Sequence, residues 1–159
     1  MPAILLAQSL RSGEVEGNVV TRVLDEAEAR AVISAGKIGH LGCIVQGEPY
    51  VVPLNYLLDG DFIYSHSLPG RKIKALRINP RVCLQVERID DDFHWRSAIA
   101  FGHFGEVNDD LERAQVLRKL VQRFPTLTPV ESRLGKGAAP PEVIVFRIRL
   151  ERVTGVAEE

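Results

Sequence analysis

Residues 47–80 contain a β-hairpin followed at once by a short helix, and this arrangement limits the folds open to the chain. The apolar run at 49–58 meets the alternating run at 61–67 through Asp59-Gly60, which supplies the positive φ of a two-residue turn. Pro53 has no N–H to donate to a strand ladder, so its strand is predicted to be interrupted or to lie on an edge. The neighbouring backbone groups would then be free to bind a flat ligand.

The helix that follows the hairpin begins with two cations. Apolar side chains recur at helical spacing over 71–79, and Pro80 ends the pattern. Arg71 and Lys72 therefore lie in the first turn, where positive charge opposes the helix dipole. A bound anion would reverse this conflict, because a helix N-terminus offers unpaired N–H groups and a positive partial charge.

Two hydroxyl groups precede that helix. Alternate residues of a strand share a face, so Ser65 and Ser67 lie on one face of the second strand and His66 lies on the other. Hydroxyls, a bidentate guanidinium and an ammonium group are all suited to phosphate. We therefore predict a phosphate site at Ser65 or Ser67 with Arg71 and Lys72. A solvated basic turn without a ligand accounts for the composition equally well.

The remaining elements favour an antiparallel barrel. Further strands are predicted at 38–46, 82–89, 95–107 and 144–150, and glycines within the long strand at 95–107 are expected to bend it. Helices are predicted to begin at Asp25 and at Asp109, the second with a capping box. About six strands without βαβ order indicate a mainly β (α+β) fold with short peripheral helices. No Gly-rich dinucleotide fingerprint or Walker loop occurs in the sequence.

The 159 residues are expected to form one domain. Residues 1–20 have weak periodicity and are predicted to form an N-terminal arm, followed by a single domain at 21–155. Residues 125–141 hold four prolines and two glycines, and are predicted to form an irregular loop.

Composition excludes several classes of partner. A net charge of −1 without a basic block gives no reason to expect nucleic acid or an anionic membrane. No apolar run is long enough to span a bilayer, and residues 4–7 are too short for the apolar core of a signal peptide, so a cytoplasmic protein is expected. Cys43 and Cys83 are predicted to be buried free thiols. No pair among His40, Cys43 and His66 has the short spacing typical of zinc ligands, so no metal is expected.

Five segments together resemble a known family. They are GHLG (39–42), PYVVPLNY (49–56), DGDFIYSHS (59–67), GRKIKALRINPRVC (70–83) and WRSAIAFGHFGEV (95–107). In this order, over about residues 20–125, they resemble the pyridoxamine 5′-phosphate oxidase-like flavoproteins of the split β-barrel fold, most of all the nitroimidazole-resistance-related branch. The resemblance implies FMN bound at the interface of a homodimer.

The resemblance also implies a role for individual residues. Arg71 and Lys72 match the pair that binds the FMN phosphate, with Ser65 or Ser67 as the hydroxyl beside it. The segment that approaches the flavin from the partner subunit in relatives is matched by Trp95, Arg96 and Ser97. The strand that contacts the isoalloxazine ring is matched by Val52, Pro53, Leu54 and Asn55. Trp95 is expected to stack on the flavin or to fill the dimer seam, and both would leave it buried.

The family suggests two classes of function. The first is a flavin-dependent oxidoreductase acting on a small electrophile, a nitroaromatic or a quinone, with NAD(P)H as a candidate donor. The second is a flavin-binding carrier or sensor without turnover, and a haem-handling relative of the same barrel is a third, weaker alternative. The chain lacks the C-terminal segment with which the vitamin-processing oxidases bind pyridoxamine phosphate, so oxidation of that vitamin is not expected.

Two further expectations concern catalysis and assembly. His66 could supply a proton on the substrate side, although a structural strand histidine is the favoured reading. His40 and His103 are predicted to be structural, and His94 to be exposed. Apolar side chains on both faces of residues 95–104 favour a dimer, since one small barrel would not cover both.

Overall fold

The computed structural model describes residues 20–125 and 142–159. The predicted arm at 1–20 and the predicted loop at 125–141 therefore lie almost wholly outside the described residues. The described part contains strands β1 (Thr21–Leu24), β2 (Ile38–Val45), β3 (Glu48–Asn55), β4 (Leu57–Asp59), β5 (Phe62–Ser67), β6 (Arg81–Ile89), β7 (Trp95–Glu106) and β8 (Ile144–Glu158), with helices α1 (Glu26–Ala35), α2 (Arg71–Ile78) and α3 (Asp110–Arg123).

The strands form one antiparallel sheet organised around β8. The strand order is β3-β2-β6-β7-β8-β5-β4, and β1 pairs with β8 outside this path. One edge of β8 pairs with β7 along most of its length, while the other edge pairs with β5 through Ile144–Arg149 and with β1 through Gly155–Glu158. The mainly β architecture with three helices at its periphery confirms the predicted fold class.

A side-chain hydrogen bond joins β3, at one end of the strand order, to β5, which is next to the other end. No backbone ladder connects β3 to β5 in the described ranges, but the Ser65 hydroxyl on β5 donates to the Asn55 carbonyl at the end of β3 at 2.6 Å. Ser65 is 1% exposed, so this bond is made inside the barrel. It fixes the end of β3 against the strand that leads into α2. β3 itself is an edge strand, which confirms the prediction made from Pro53.

The barrel interior is filled from alternate strand positions. Leu41 and Leu84 are fully buried on neighbouring strands, and Ala98 and Ala100 present small side chains on β7. Helix α1 packs against the inner face of β6, β7 and β8, where Ile33 is fully buried. A second, smaller cluster lies under α3. The outer face of β2, β6 and β7 remains only partly covered.

The structure adds elements that periodicity did not predict. β1 was not predicted, and β8 has 15 residues because its second half continues along β7 and β1. The run predicted at 49–58 is divided at Tyr56, whose buried hydroxyl donates to the Ile33 carbonyl. The predicted bend is confirmed at Gly102, where the pairing of β7 with β8 shifts register. A Cβ at Gly102 would lie 2.1 Å from the Arg149 carbonyl oxygen.

The helix caps and thiols also bear on the predictions. Asp25 caps α1 in a reciprocal capping box with Glu28. Asp109 caps α3 as predicted, but Glu112 does not return the bond, because its carboxylate instead pairs with Arg147 at 2.6 Å.

Both cysteines are free thiols. Cys43 is buried, whereas Cys83 on the outer face is half-buried.

Two features are absent from the described residues. No helix among them has the length and apolar character needed to cross a membrane. No group of three or more His, Cys, Asp or Glu side chains within the same ranges could hold a metal ion.

Candidate functional site

The first turn of α2 has none of the features that stabilise the other two helices. Gly70 stands at the N-cap and offers no side-chain bond, and no acidic residue lies in the first turn. By contrast, α1 and α3 each begin with an aspartate cap and acidic residues in the first turn. The positive end of the α2 dipole and its uncapped N–H groups therefore lie beside cationic side chains, with no acidic side chain in the first turn. This is an arrangement suited to an anion from outside the chain.

Lys72 is the most informative cation of this turn. Its ammonium makes no ion pair with any residue that the structure describes, yet the side chain is half-buried. Burial lowers the pKa of Lys72 because desolvation disfavours the charged form, and the nearby Cys43 thiol opposes this shift. A half-buried lysine without a carboxylate costs stability unless an anion binds beside it.

Arg71 is exposed and has no described partner either. Many guanidinium groups of the described ranges are engaged in ion pairs, such as Arg77 with Glu106 at 2.5 Å and Arg30 with Asp61 at 2.8 Å. The two cations predicted to bind phosphate are thus both available to a ligand at one helix terminus.

The two serines occupy different environments. Ser65 is buried, and its proton is engaged by the Asn55 carbonyl. Ser67 is half-buried, and its hydroxyl donates to the carbonyl of its neighbour Leu68 at 2.9 Å. That second bond is local, so a rotation about χ1 would free the hydroxyl for a ligand. The assignment of either serine to a phosphate stays a prediction, and geometry favours Ser67.

The strand predicted to contact a flat ring is open to solvent on its outer side. Val51 is 63% exposed and Pro53 is exposed, whereas Leu54 points into the core. No described strand pairs with the free edge of β3, so alternate backbone groups there lack a ladder partner. Asn55 lies at the end of this strand, held by the bond from Ser65.

An apolar cleft of about 360 Å³ adjoins this strand on the outer face of the sheet. Its walls include Val51 on β3, Ile44 on β2, Cys83 on β6 and Phe101 on β7. Gly42 opens the floor, since a Cβ there would lie 2.8 Å from the Cys83 sulfur. The cleft has the size and apolar lining of a small-molecule site.

The segment Trp95, Arg96 and Ser97 is not brought to this strand within one chain. Ser97 lies opposite Glu87, and Pro53 lies opposite His40, so three strand spacings separate the two segments, or about 14 Å. Arg96 forms an ion pair with Glu159, and Trp95 is half-buried at the start of β7. A single chain therefore holds only part of the predicted set.

His66 lies on the face of β5 opposite to Ser65. The same face carries Tyr64, whose hydroxyl lies 3.4 Å from the Glu112 carboxylate on α3. His66 is half-buried and stands opposite Val145 of β8. Its proposed proton transfer stays a prediction.

Periodicity missed a polar chain on the outer face. The side-chain oxygen of Gln85 lies 3.1 Å from His40 Nδ1. The side-chain amide nitrogen of Gln85 donates to the Ser97 hydroxyl at 3.1 Å and to the Glu87 carboxylate at 2.9 Å. Since the Gln85 amide nitrogen must face the Glu87 carboxylate, its oxygen faces His40, which therefore carries its proton on Nδ1. The only sign of this polar chain in the sequence was that polar residues, Gln85 and Glu87, alternate with apolar ones along β6.

Comparison with known proteins adds the family. A sequence model of the family described as pyridoxamine 5′-phosphate oxidase matches residues 25–157. An uncharacterised protein of Rhizobium meliloti is 35% identical over 86 residues, which are 54% of this chain and 57% of the relative. This match therefore spans little more than half the length of that curated relative.

Solved structures support the same assignment. A FAD-binding protein of Mesorhizobium loti is 33% identical, with a TM-score of 0.74 over 88% of this chain and 99% of the other. A protein of Bacteroides thetaiotaomicron, described as a candidate 5-nitroimidazole antibiotic resistance protein, shares the fold at 21% identity with a TM-score of 0.67 over 93% and 96% of the two chains. On this evidence, the chain belongs to the pyridoxamine 5′-phosphate oxidase-like family of split β-barrels.

Proposed function

We propose that this protein binds the FMN moiety of a flavin cofactor and acts as a flavin-dependent oxidoreductase on a small electrophilic acceptor. The observation that carries the proposal is the half-buried Lys72, which has no described anionic partner, beside an uncapped helix start. A relative that shares 33% of its sequence is a FAD-binding protein, which supports a flavin at this position.

The residues present fit the phosphate end of such a cofactor. Arg71 offers a planar fork that matches phosphate oxygens, Lys72 adds a point charge, and the first N–H groups of α2 point the same way. Ser67 adds a hydroxyl after rotation. Bound phosphate would raise the pKa of Lys72 again, because an adjacent negative charge opposes the lowering caused by burial.

The ring end fits the free edge of β3. Backbone groups near Val52 and Asn55 can bond the polar edge of a flat ring, while exposed Pro53 excludes water from its face. The apolar cleft continues from Val51 across the sheet and would admit a nitroaromatic or quinone acceptor. Flavin, once bound, supplies hydride or single-electron transfer at its ring. NAD(P)H is the proposed donor, and the cytoplasm the proposed location.

A second copy of the chain completes the proposed site. Trp95, Arg96 and Ser97 stand about three strand spacings from Pro53, and this separation supports the proposal that they reach the same ring from a partner molecule. The outer face carries exposed apolar groups that a partner would cover, among them Ile44 at 40% exposure. An isologous dimer through this face places the segment of one copy beside β3 of the other.

The experiment is a measurement of cofactor content. Protein purified from cells is expected to be yellow, with a flavin absorbance band, and the released chromophore is to be identified by mass spectrometry. Replacing Arg71 and Lys72 together with alanine is expected to leave the protein folded but colourless. The matched control replaces Lys37 and Arg118 together with alanine. Both are exposed cations away from α2, so this variant loses the same charge and should keep its flavin.

Circular dichroism and thermal unfolding of both double variants separate loss of cofactor from loss of fold. Full flavin content in the Arg71 and Lys72 variant would refute the phosphate assignment. Bleaching of the colour by NAD(P)H, followed by reoxidation with a nitroaromatic or quinone, tests turnover. A bound flavin that NAD(P)H never reduces would instead indicate a carrier or sensor.

A further inference from the structure

An arginine without a partner lines the apolar cleft on the outer face of the sheet. Arg81 is the first residue of β6, and Arg81 and Glu151 carry the only charged side chains among the described residues that line the cleft. Arg81 makes no ion pair and no side-chain hydrogen bond within the described ranges. Its guanidinium group, which has five donors, is therefore open to a ligand in the cleft.

A β-bulge brings the one carboxylate of the cleft to this face. The pairing of β7 with β8 shifts after Phe101, and Glu151 is the extra residue of β8 at that shift. Bulges re-aim side chains, and here both Glu151 and Arg152 reach the outer face. The Glu151 carboxylate lies 2.8 Å from His103 Nδ1, at an angle unsuited to a hydrogen bond. The chain thus does not use this carboxylate to neutralise Arg81.

Positive charge exceeds negative charge on this part of β6, β7 and β8. The Arg152 guanidinium lies 4.0 Å from the centre of the Phe101 ring, a cation–π contact that leaves its charge in place. Arg149, two residues before Glu151, is exposed and has no ion pair with a described residue. Together with Arg81, these arginines outnumber the single carboxylate. The local potential therefore favours an anion over a neutral ligand of the same shape.

The remaining walls of the cleft suit an aromatic ring. Ile44 and Val51 provide aliphatic surface, and Phe101 provides an aromatic surface against which a planar ligand can pack. The volume of about 360 Å³ is that of a site for a small molecule. A planar apolar body with one negatively charged substituent matches both the walls and the charge.

We infer that the acceptor bound in this cleft is an aryl carboxylate, and that Arg81 selects it. The carboxylate would pair with the Arg81 guanidinium through two parallel N–H···O bonds, while the ring packs between Val51 and Phe101. A nitrobenzoate or a carboxylated quinone is thus preferred to an uncharged arene. This inference rests on the proposed function, because it names the substrate class of the same site.

The test compares two probes that differ in charge and have nearly the same shape. 4-Nitrobenzoate and 4-nitrobenzamide share the ring and the nitro group, and only the first is an anion at neutral pH. Isothermal titration calorimetry of the purified protein measures their binding without turnover. 4-Nitrobenzoate is expected to bind about fivefold to tenfold more tightly, as for a bidentate pair at a partly exposed arginine. Added salt should reduce this preference, because it screens the charge.

Variants of Arg81 show whether this residue is the source of the preference. Arg81→Gln is expected to remove the difference between the two affinities, and Arg81→Lys to keep part of it. Arg118→Gln, at an exposed cation on α3, is the matched control and should keep the wild-type ratio. Thermal unfolding of each variant checks that the fold is intact.

The outcomes separate this inference from the proposed function. Equal affinity of the wild-type protein for both probes, or an unchanged ratio in Arg81→Gln, would overturn the inference while leaving the proposed function standing. Binding of neither probe would do the same. A wild-type protein that binds no flavin would overturn the proposed function, whatever the two affinities.

Discussion

Replacing Lys72 with methionine separates a binding role from a structural one. Methionine keeps the apolar stem of lysine and removes the charge, so packing against β2 is retained. In the absence of an anion, the Lys72 ammonium is half-buried and unpaired among the described residues, and burial lowers its pKa. We therefore expect Lys72→Met to raise the free energy of unfolding of the cofactor-free protein, because a poorly solvated charge is gone.

The same substitution is expected to weaken flavin binding. A hydrogen bond to a charged group contributes about 1.5–3 kcal/mol, which corresponds to a factor of about 10 to 150 in the dissociation constant. Arg71 and the helix N-terminus remain, so binding should be reduced and not abolished. The assays are flavin titration at neutral pH and chemical unfolding of the cofactor-free form. Lys37→Met, at an exposed lysine, is the matched control.

The pH dependence provides a second readout of the same variant. A lysine whose pKa is lower in the folded state binds fewer protons there than in the unfolded chain. The stability of the cofactor-free wild-type protein should therefore rise with pH between the lowered pKa of Lys72 and its ordinary value of 10.5. Lys72→Met should lose this rise. Unchanged flavin affinity, or a less stable cofactor-free variant, would refute the reasoning.

Two further predictions concern barrel closure and assembly. Ser65→Ala should lower the free energy of unfolding by about 1–3 kcal/mol, because the half-buried Asn55 carbonyl loses its donor across the β3–β5 gap. Urea unfolding of Ser65→Ala, with Ser67→Ala as the comparison, measures this effect, and equal stability of the two variants would contradict it. Ile99→Glu on the outer face of β7 should yield a monomer with little flavin in sedimentation velocity, whereas Leu111→Glu on exposed α3 should not; a flavin-loaded Ile99→Glu dimer would exclude this interface.

The sequence predicted most of the elements that carry the site. Alternation located the second hairpin strand, and Pro80 located the end of α2, because each depends on local backbone chemistry. The predicted turn at Asp59-Gly60 was one residue early: Asp59 is the last residue of β4, opposite Phe62, and Gly60 with Asp61 forms the turn. Most of the predicted first hairpin strand pairs with β2 instead of with β5. The edge position of β3 followed from the missing N–H of Pro53. β1 could not be predicted in this way, since four residues are too few for periodicity and the strand forms by pairing with β8.

The two serines show what alternation along a strand cannot predict. Alternation placed Ser65 and Ser67 on the same face, so the sequence could not tell which of the two hydroxyls would bind a phosphate. Tertiary contact distinguishes them, because β5 turns Ser65 towards the end of β3 and leaves Ser67 at the strand terminus.

The contrast among the helix starts predicts that binding of the proposed cofactor is coupled to the local stability of α2. At the starts of α1 and α3, the side chains of Asp25 and Asp109 accept hydrogen bonds from backbone N–H groups of the first turn. An aspartate N-cap is a common way for a chain to satisfy these groups by itself. α2 replaces the cap with Gly70 and puts cations where acids are favourable. A helix of eight residues with such a start is marginal without help, and most of its stability comes from packing Ile73 and Leu76 into the core. An anion that binds only the folded form adds its binding free energy to that packing. We therefore expect the charges that weaken α2 in the empty protein to make it the element that the proposed phosphate-bearing cofactor stabilises most.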